Sequence, residues 1–398
     1  MRKRVLFLGA APGQISPIRY SKAQGYYVIT ADNVPSNPGH QMADECHNVS
    51  TTDVDQILRL AANLDIDAVV AYASDPAALT AAIVADQMGL VGNPPEAVEI
   101  LTHKDLFRGF LAKNGFNVPR SRTFTTLEEA QVWIRQGTAN YFVKPVDSSG
   151  SKGVTRITAE DQLNPAFAHA MAFSRAKRVI IEEEILKDGF QVAGDGFLRD
   201  GNLEFRCWAD EHFDQLCNGI VPIGQTFPST QAEHRLDLAH QESQRLLTLL
   251  GMRTGALNFD FVFDGQGELF LLEIGPRNGG CLIPDVIKYA TGVDLAARTV
   301  DAALGSQLQV IGRPVVEGFW SSYVVHALSS GVFRGLSVSE RAKACVVESD
   351  LYVKEGDKVN KFLGSNDSIG MMILRYRSHS EMLEMIENME RDLLALVE

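Results

Sequence analysis

The chain has 398 residues, of which 45% are hydrophobic and 22% are charged, and its formal net charge is −13. This length predicts two or three domains, and the composition is typical of a globular protein that buries a sizeable core. No run of about 18 apolar residues occurs, so no membrane span is predicted. The acidic balance disfavours a nucleic-acid-binding surface, since phosphate binding needs an excess of lysine and arginine.

The first residues and the cysteines indicate the compartment. The basic residues at positions 2–4 precede a short apolar run, 5–8, which predicts a first strand rather than a signal peptide. The five cysteines are scattered, with no CxxC pair and no histidine partner at metal-ligand spacing. Reduced thiols in a cytoplasmic protein are the simplest interpretation.

Residues 1–93 alternate short apolar strands with helical segments, which predicts a parallel sheet flanked by helices. The predicted strands span 4–8, 27–30 and 67–71, and the predicted helices span 17–24, 54–63 and 77–88. The first turn, GAAPG, lacks the GxGxxG pattern, so a dinucleotide site is disfavoured. Because the ends of parallel strands line crevices, residues 12–16 and 74–75 are candidate substrate contacts.

A break at GNPP, residues 92–95, marks a domain boundary before a further predicted helix. Thr102 is its predicted N-cap, and the helix is expected to stop near Gly115. Its predicted apolar face consists of Leu106, Phe107, Phe110 and Leu111. Lys104 falls in the first turn, where the helix dipole disfavours a cation, which indicates an anionic ligand. A solvated lysine is the alternative.

A loop rich in serine and glycine joins two predicted strands, 141–144 and 154–157. Small residues let successive backbone N–H groups converge on phosphate oxygens, while Lys144 and Lys152 supply positive charge. No GxxxxGK[ST] pattern opens a helix here, so it is not a Walker A loop. A hairpin tip without a ligand is the alternative. The loop consists of Ser148, Ser149, Gly150, Ser151, Lys152 and Gly153.

Residues 178–186, RVIIEEEIL, are predicted to form an apolar strand that runs into three acids. Such a strand end can offer backbone groups and a carboxylate to the exocyclic amine of adenine, and solvated acids are the alternative. Residues 191–223 are predicted to form hairpins with a turn at Asp200-Gly201, and 234–251 an amphipathic helix.

The segment GALNFDFVFDGQGELFLLEIGPRNGG, residues 255–280, is predicted to form a β-hairpin with strands at 257–263 and 268–274. Asp260 and Glu273 lie on opposite strands and are expected to face each other. Two close carboxylates repel unless a cation lies between them, and carboxylate oxygens are ligands that Mg²⁺ prefers. Arg277 follows among small residues that let an anion approach the backbone. The alternative is that either acid is solvated.

The remaining sequence predicts a helix at 294–304, strands at 318–326, 343–347 and 371–377, and a terminal helix at 380–397. YVKEGDKV is predicted to be a turn between strands.

Taken in this order, the motifs resemble those of the ATP-grasp superfamily. Within it, the motifs are most similar to those of the branch that includes biotin carboxylase, the L-amino acid ligases and carbamoyl-phosphate synthase. The resemblance covers the whole chain and implies an α/β and α+β fold. Residues 1–93 would form a parallel α/β pre-ATP-grasp domain and 94–312 a two-part ATP-grasp domain, with a small lid subdomain at about 119–185 and a larger subdomain at 186–312. Residues 313–398 would form a small β-rich module with a terminal helix.

The resemblance also implies site roles. ATP phosphates would be bound by Lys104, Lys144 and the loop from Ser148 to Gly153. The adenine would be held by Glu182, Glu183, Glu184 and Ile185, with Gln191 beside the ribose. Mg²⁺, with Mn²⁺ as the alternative metal, would be bound by Asp260 and Glu273, and Arg277 and Lys144 would be the catalytic cations. Gly275 stands where many members carry an asparagine metal ligand.

The activity implied by the resemblance is an ATP- and Mg²⁺-dependent ligase that activates a small-molecule carboxylate as an acyl-phosphate and condenses it with an amine. An amino acid ligase is favoured. The alternatives are a formyl- or carbamoyl-phosphate-type activation in nucleotide or sugar metabolism, and a non-catalytic ATP-binding regulator, which Gly275 favours. No nucleic-acid or membrane partner is expected, and a homodimer is expected because many relatives are dimers.

Overall fold

The computed structural model describes residues 2–137, 140–312 and 315–398. The predicted domain boundary at residue 313 lies outside these ranges. Within them the chain forms helices packed on four sheets, and no helix combines the length and apolar character needed to cross a membrane.

The N-terminal unit is the α/β layer that the alternating sequence pattern predicts. Its elements are β1 (Arg4–Leu8), α1 (Ile15–Ala23), β2 (Tyr27–Ala31), α2 (Pro38–Met42), β3 (Glu45–His47), α3 (Val54–Leu64), β4 (Ala68–Val70) and α4 (Asp75–Met88). The strands pair in parallel in the order β3-β2-β1-β4. The sequence pattern misses β3 because its three residues, ECH, contain no apolar run.

Two short helices, α5 (Pro95–Thr102) and α6 (Lys104–Lys113), connect this unit to the rest of the chain. The prediction that Thr102 caps a helix N-terminus is wrong. Thr102 ends α5, where its hydroxyl donates a hydrogen bond to the carbonyl of Val98 at 2.8 Å, and His103 occupies the N-cap position of α6.

The apolar face predicted for this segment is only partly confirmed. Phe107 and Leu111 are buried, whereas Leu106 is 37% exposed. Arg108 is buried in the same helix with 4% of its surface exposed. A buried arginine requires acceptors, and those acceptors belong to the candidate site.

The next unit is a four-stranded antiparallel sheet covered by two helices. Its elements are β5 (Ser121–Phe124), α7 (Leu127–Ile134), β6 (Tyr141–Pro145), β7 (Thr155–Ile157), α8 (Leu163–Phe173) and β8 (Val179–Glu183). The strand order is β5-β8-β6-β7, and apolar side chains of α7 and α8 pack on the sheet in one core cluster. The serine–glycine loop joins β6 to β7, as predicted.

The largest sheet begins in the following segment. Its elements are β9 (Val192–Arg199), β10 (Asn202–Phe213), β11 (Pro222–Phe227), α9 (Glu233–Leu249), β12 (Gly255–Phe263), β13 (Leu269–Gly275), α10 (Ile283–Thr291) and α11 (Leu295–Ala303). The predicted turn between β9 and β10 is confirmed, with Asp200 at φ 51° and Gly201 at φ 81°. Two successive positive φ angles match the right-handed twist of a hairpin.

The C-terminal elements are β14 (Phe319–Val325), β15 (Gly331–Val338), α12 (Glu340–Cys345), β16 (Val346–Leu351), β17 (Lys358–Val359), β18 (Gly370–Tyr376), α13 (His379–Glu387), α14 (Met389–Asp392) and β19 (Leu393–Val397). The eight-stranded antiparallel sheet has the order β13-β12-β9-β10-β11-β14-β18-β16. The C-terminal strands β14, β18 and β16 therefore continue the sheet of the preceding segment, and β15, β17 and β19 form a separate three-stranded sheet.

Two predictions in this segment are wrong. Residues 343–345, predicted to begin a strand, end α12, and the predicted terminal helix at 380–397 stops at Glu387 before α14 and β19. The run LLALV fits either a helix or a strand on its own, and pairing with β15 decides for a strand. The pattern also missed β15.

Candidate active site

A cavity opens where the N-terminal unit, α6, the serine–glycine loop and β13 meet. Its polar lining includes Asp75, Lys104, Ser148, Arg175 and Glu273. Its apolar lining is contributed by Pro76, Leu79, Leu101, Phe107 and Leu272. Four residues that line the cavity, Lys104, Ser148, Ser149 and Glu273, are predicted to bind nucleotide or metal. Asp75 is predicted only as a candidate substrate contact, and Arg175 is not predicted.

Three acids lie together beside this cavity. The β12–β13 register places Asp260 directly opposite Glu273, as the hairpin prediction required. Burial raises the pKa of Asp260 well above its usual range, and the nearby charges of Glu211 and Glu273 raise it further. Burial also raises the pKa of Glu211 to about 7, with a further contribution from Glu273. Burial and mutual repulsion therefore oppose ionisation of Asp260 and Glu211.

The donor set of this acid cluster fits a divalent metal. Among the described residues, the buried Oδ1 atom of Asp260 has no hydrogen-bond partner, which is costly unless a ligand satisfies it. Carboxylate oxygens are the donors that Mg²⁺ takes from proteins, and a bound cation favours the ionised form of each acid. Asp260 and Glu273 are thus placed to hold the predicted metal, with Glu211 as a third acid that sequence reasoning missed.

Lys144 is held by a different acid. Its Nζ lies 2.6 Å from Oε2 of Glu182, and Nε of Arg108 lies 2.8 Å from Oε1 of the same carboxylate. Although burial alone raises the pKa of Glu182, the charges of Arg108 and Lys144 lower it to about 2. Burial lowers the pKa of Lys144, and the charge of Glu182 opposes that shift. This buried cluster carries one more cation than anion.

Lys104 bridges the loop and the acids. It is the first residue of α6, and its Nζ donates a hydrogen bond to the backbone carbonyl of Ser148 at 2.7 Å and lies 3.4 Å from Oε2 of Glu273. The cation that the sequence places at an unfavourable helix end therefore faces the acid cluster and the serine–glycine loop rather than open solvent.

The serine–glycine loop is anchored at its middle. Ser151 Oγ donates a hydrogen bond to the carbonyl of Ile220 at 2.9 Å. Gly150 and Gly153 have φ angles of 64° and 74°, which few other residues adopt. Burial lowers the pKa of Lys152, and the charge of Arg175 lowers it further. A phosphate group beside Lys152 would favour its charged form.

The strand end predicted to hold adenine has each of its three carboxylates paired. Glu182 is neutralised by Arg108 and Lys144, as described above. Glu183 lies 2.8 Å from Arg120, and Glu184 lies 2.7 Å from Arg156. An adenine at this position would therefore meet the backbone of the segment, including Ile185, more readily than a free carboxylate.

Gln191 lies beside the acid cluster. Its Nε2 donates a hydrogen bond to Oε2 of Glu211 at 2.7 Å. This contact orients Glu211 and places the predicted ribose-binding residue next to the predicted metal ligands.

Arg277 is fixed by two residues from different parts of the chain. Its Nη2 lies 2.6 Å from Oδ2 of Asp75, in the N-terminal unit, and its Nη1 donates to Oδ1 of Asn258 at 2.7 Å. Burial lowers the pKa of Arg277, but the charge of Asp75 outweighs that effect and raises it above its ordinary value. Arg277 is therefore a permanent cation at this edge of the site.

Gly275 makes room for this arrangement. A Cβ atom on Gly275 would lie 2.9 Å from Cζ of Arg277 and 2.9 Å from Oδ1 of Asp75. The residue opposite Gly275 in the β12–β13 register is Asn258, the amide that contacts Arg277. The space that a side chain at position 275 would need is thus occupied by the Arg277–Asp75 ion pair.

A buried aspartate supports the loop that carries Arg277. Asp195 accepts a hydrogen bond from the backbone N–H of Gly279 at 2.9 Å and another from Asn258 Nδ2 at 3.0 Å. Burial raises the pKa of Asp195 to about 7, against the opposing effect of these hydrogen bonds.

Sequence reasoning missed Glu211, Arg108 and Asn258, and named position 75 only as a candidate substrate contact. One signal was available for Glu211. It belongs to the run DEH, which follows the apolar run CWA in β10, and its surface is 5% exposed. Polar residues at buried strand positions need partners, so such a run indicates a site.

Comparisons of sequence give consistent matches. A family model described as the ATP-binding domain of the carbamoyl-phosphate synthase L chain matches residues 103–311, more than half of the chain. The chain is 25% identical over 346 residues to the carbamoyl phosphate synthase large chain of Paenarthrobacter aurescens, covering 79% of this chain and 30% of that protein. It is 25% identical over 329 residues to the formate-dependent phosphoribosylglycinamide formyltransferase of Erythrobacter litoralis, covering 78% and 80%. It thus spans less than a third of the carbamoyl phosphate synthase that it matches.

Solved structures extend the match to the whole chain. The L-amino acid ligase from Bacillus licheniformis superimposes with a TM-score of 0.83 at 19% identity, over 100% of this chain and 99% of that one. The biotin carboxylase domain of the Hydrogenobacter thermophilus 2-oxoglutarate carboxylase, in a structure with MgADP, ADP and bicarbonate, gives 0.77 at 16% identity over 100% and 91%.

Proposed function

Because the chain belongs to the family of the carbamoyl-phosphate synthase L chain ATP-binding domain, we propose that it is an ADP-forming ligase that activates a carboxylate with ATP and condenses it with an amine. Its fold is that of the ATP-grasp ligases, as the resemblance in sequence predicted. The observation that carries the proposal is the acid cluster of Asp260, Glu273 and Glu211, of which Glu273 lines one cavity together with Lys104 and the serine–glycine loop.

The phosphates of ATP are assigned to the polar side of this cavity by charge. Lys104, Lys144 and Lys152 would contact its phosphates, and the backbone of the serine–glycine loop would cover them. The resemblance places the adenine at residues 182–185 and the ribose near Gln191. Mg²⁺ held by Asp260 and Glu273 would neutralise phosphate charge and orient the phosphates for transfer.

The reaction follows from positioning and charge. A carboxylate oxygen of the acid substrate attacks the γ-phosphorus of ATP, the bond to the bridging oxygen breaks, and ADP leaves. The amine substrate then attacks the carbonyl carbon of the acyl-phosphate and displaces phosphate. Arg277 stabilises the negative charge of the phosphoryl group, and Asp75 and Asn258 hold its guanidinium in place. Closure of the serine–glycine loop would exclude water from an intermediate that hydrolyses readily.

The favoured substrate class is an amino acid. The cavity wall contributed by Pro76, Leu79, Leu101 and Phe107 suits a substrate with a hydrocarbon side chain. The likeness to an L-amino acid ligase over the whole of both chains supports the same reading. The second candidate is activation of a very small acid, such as formate or bicarbonate, which the sequence likeness to a formate-dependent formyltransferase and to carbamoyl phosphate synthases favours.

A regulator without turnover is disfavoured. Gly275 was the feature that pointed to it, and the space beside Gly275 is used to hold Arg277. Gly275 therefore reflects a different packing of the site rather than the loss of the site.

The decisive experiment measures release of ADP and phosphate with ATP and Mg²⁺ in three separate mixtures. The first contains amino acids, the second formate, bicarbonate and other small acids, and the third phosphorylated or sugar-linked amines with each acid. Turnover that requires a pair of amino acids, with a condensed product detected by mass spectrometry, is the expected result. Turnover with formate or bicarbonate would establish the second candidate. ATP binding with no stimulated release in any mixture would overturn both and leave a nucleotide-binding regulator.

A cytoplasmic location is proposed from the cysteines, all five of which are unpaired thiols in the structure. The homodimer remains a prediction that sedimentation of the purified chain would test.

A further inference from the structure

A second group of metal-binding side chains lies in a different part of the large sheet. Asp214 and Cys217 belong to the loop between β10 and β11, and His326 follows β14. A carboxylate oxygen, the thiol sulfur and an imidazole nitrogen from these residues all lie within 4.8 Å of one another. No residue of the acid cluster around Asp260 takes part. Spacing in sequence could not reveal this group, because 112 residues separate Asp214 from His326.

The hydrogen bonds of His326 leave one nitrogen without a suitable partner. Its Nδ1 lies 2.8 Å from the carbonyl oxygen of Val324, which can only accept, so Nδ1 carries the ring proton. Its Nε2 lies 3.0 Å from Oδ2 of Asp214. In the neutral ring this contact joins two acceptors. Either a second proton or a cation must lie between them, and the side chain of His326 is only 3% exposed.

The loop holds the other two side chains in a fixed turn. The backbone N–H of Leu216 donates to Oδ1 of Asp214 at 2.7 Å, which leaves Oδ2 directed at His326. The N–H of Cys217 bonds to the carbonyl of Asp214 at 3.3 Å, so Cys217 lies on the same tight turn. A histidine whose Nδ1 donates to a backbone carbonyl is also the usual orientation for an Nε2 metal ligand.

We propose that Asp214, Cys217 and His326 bind a zinc-class divalent cation through Oδ2, the thiolate sulfur and Nε2. A water molecule would complete a tetrahedral site, and the thiol proton of Cys217 would be released to solvent on binding. Mixed sulfur, nitrogen and oxygen donors select zinc over Mg²⁺, which prefers oxygen alone. The evidence for this site does not rest on the proposed ligase activity.

The cation would fasten the loop on which the serine–glycine loop rests. The loop that contains Asp214 and Cys217 also presents the carbonyl of Ile220, which accepts the hydrogen bond from Ser151 at 2.9 Å. Asn218 in the same loop donates to the carbonyl of Leu363 at 2.7 Å. Metal binding is therefore expected to order residues 214–221 and, through Ser151, the loop that would cover ATP.

The test uses Co²⁺ as a spectroscopic probe on the full chain, freed of metal by chelation and supplied with excess Mg²⁺ to occupy the acid cluster. One equivalent of Co²⁺ should give a thiolate-to-cobalt charge-transfer band and tetrahedral ligand-field bands, and Zn²⁺ should displace it. The charge-transfer band should be lost in Cys217→Ser, while tetrahedral binding should be lost in His326→Gln. Cys46→Ser, at an exposed thiol outside the group, is the matched control and should keep both features.

A wild-type chain that gives no charge-transfer band, or a band that persists in Cys217→Ser, would overturn the proposal and leave a protonated His326 paired with Asp214. A misfolded variant would not decide the matter, so hydrogen exchange of the unaltered chain provides a second measurement. With Zn²⁺ at about 100 times its Kd, amide exchange in residues 214–221 should slow by up to about 100-fold if opening of the loop releases the metal. Unchanged exchange in that loop would also contradict the proposal.

Discussion

Two charge clusters of the candidate site differ in how their charges balance. At Glu182, one carboxylate is neutralised by Arg108 and Lys144, and its pKa falls to about 2. At Asp260 the nearest charges are the carboxylates of Glu211 and Glu273, and the pKa of Asp260 rises well above its usual range. Burial raises the pKa of both carboxylates, so the sign of the neighbouring charges decides the direction of each net shift.

The difference shows which cluster is complete within the protein. In the Glu182 cluster, the carboxylate is neutralised by cations of the same chain. The cluster therefore stabilises the fold and holds Lys144 in place. The acid cluster keeps two carboxylates with raised pKa values, which is a property expected of a binding site. Five experiments test this contrast, and they follow in order of decreasing expected effect.

The largest effect is expected from Glu273→Gln. Removal of one proposed metal ligand should lower Mg²⁺-dependent ATP turnover by about 1,000-fold. Because it also removes a repelling charge, the metal-free variant should be at least as stable as the metal-free parent. Turnover assays and thermal unfolding with and without Mg²⁺ check both expectations. Glu268→Gln, at an exposed position of the same hairpin, is the control. Near-normal turnover in the Glu273 variant would remove this residue from the metal site.

Glu182→Gln should behave in the opposite way. It leaves Arg108 and Lys144 buried without their anion, so the free energy of unfolding should fall by about 3–5 kcal/mol. The neighbouring variant Glu183→Gln affects a more exposed ion pair and should cost about 1 kcal/mol or less. Urea unfolding measures both. An equal loss of unfolding free energy in the two variants would show that the buried cluster contributes no more stability than the exposed ion pair of Glu183.

The two clusters should also respond to pH with opposite signs. The folded-state pKa of Glu182, about 2, lies below its unfolded value, so its stabilisation is present above about pH 4.5 and is lost as pH falls toward 2. The folded-state pKa of Glu211, about 7, lies above its unfolded value, so metal-free stability should decline as pH rises from about 4.5 to 7. Each pKa shift corresponds to a change of about 3 kcal/mol in the free energy of unfolding across its pH range.

Thermal unfolding across this pH range, with and without Mg²⁺, measures the decline in stability that is attributed to Glu211. Mg²⁺ should reduce the decline above pH 4.5, because a bound cation stabilises the ionised acids. Glu211→Gln should flatten the metal-free profile. A profile that is the same in the variant and the parent would mean that Glu211 does not titrate in this window.

Gly275→Asn should lower turnover by about 10- to 100-fold, because the new side chain would displace Arg277 or Asp75. If a water molecule merely replaced the ligand missing at position 275, activity would instead be equal or higher. Gly265→Asn, where an added Cβ has nothing within 4 Å, is the matched control in the same hairpin. Equal or higher activity in Gly275→Asn would show that the ion pair yields and that asparagine serves as a ligand.

The smallest change is expected from Lys144→Ala, which should weaken ATP binding by about tenfold. Arg108 still neutralises Glu182 in this variant, so the fold should persist. Calorimetric titration with a non-hydrolysable ATP analogue measures the affinity. Unchanged affinity would leave Lys144 with a purely structural role.

Local pattern was sufficient for much of the fold. The alternation of apolar segments predicted the parallel N-terminal sheet, and turn residues predicted the hairpins of Asp200-Gly201 and of residues 264–265. It failed where a short apolar run fits two structures, as in LLALV at the C-terminus, and at a helix boundary, where Thr102 ends α5, which the pattern missed, and His103 is the N-cap of α6. In both places tertiary contacts select the secondary structure, and the local sequence does not show which residues make those contacts.

The residue pattern alone predicted that a hairpin pairs Asp260 with Glu273, and the register of β12 and β13 confirms it. Which other charges meet can be seen only in the folded chain. Arg108 reaches Glu182 from another unit, Asp75 reaches Arg277 across the chain, and Glu211 joins two acids from β10, which β9 separates from β12. The physical reason is that electrostatic energy depends on distance and burial, and both are properties of the folded chain rather than of spacing along it.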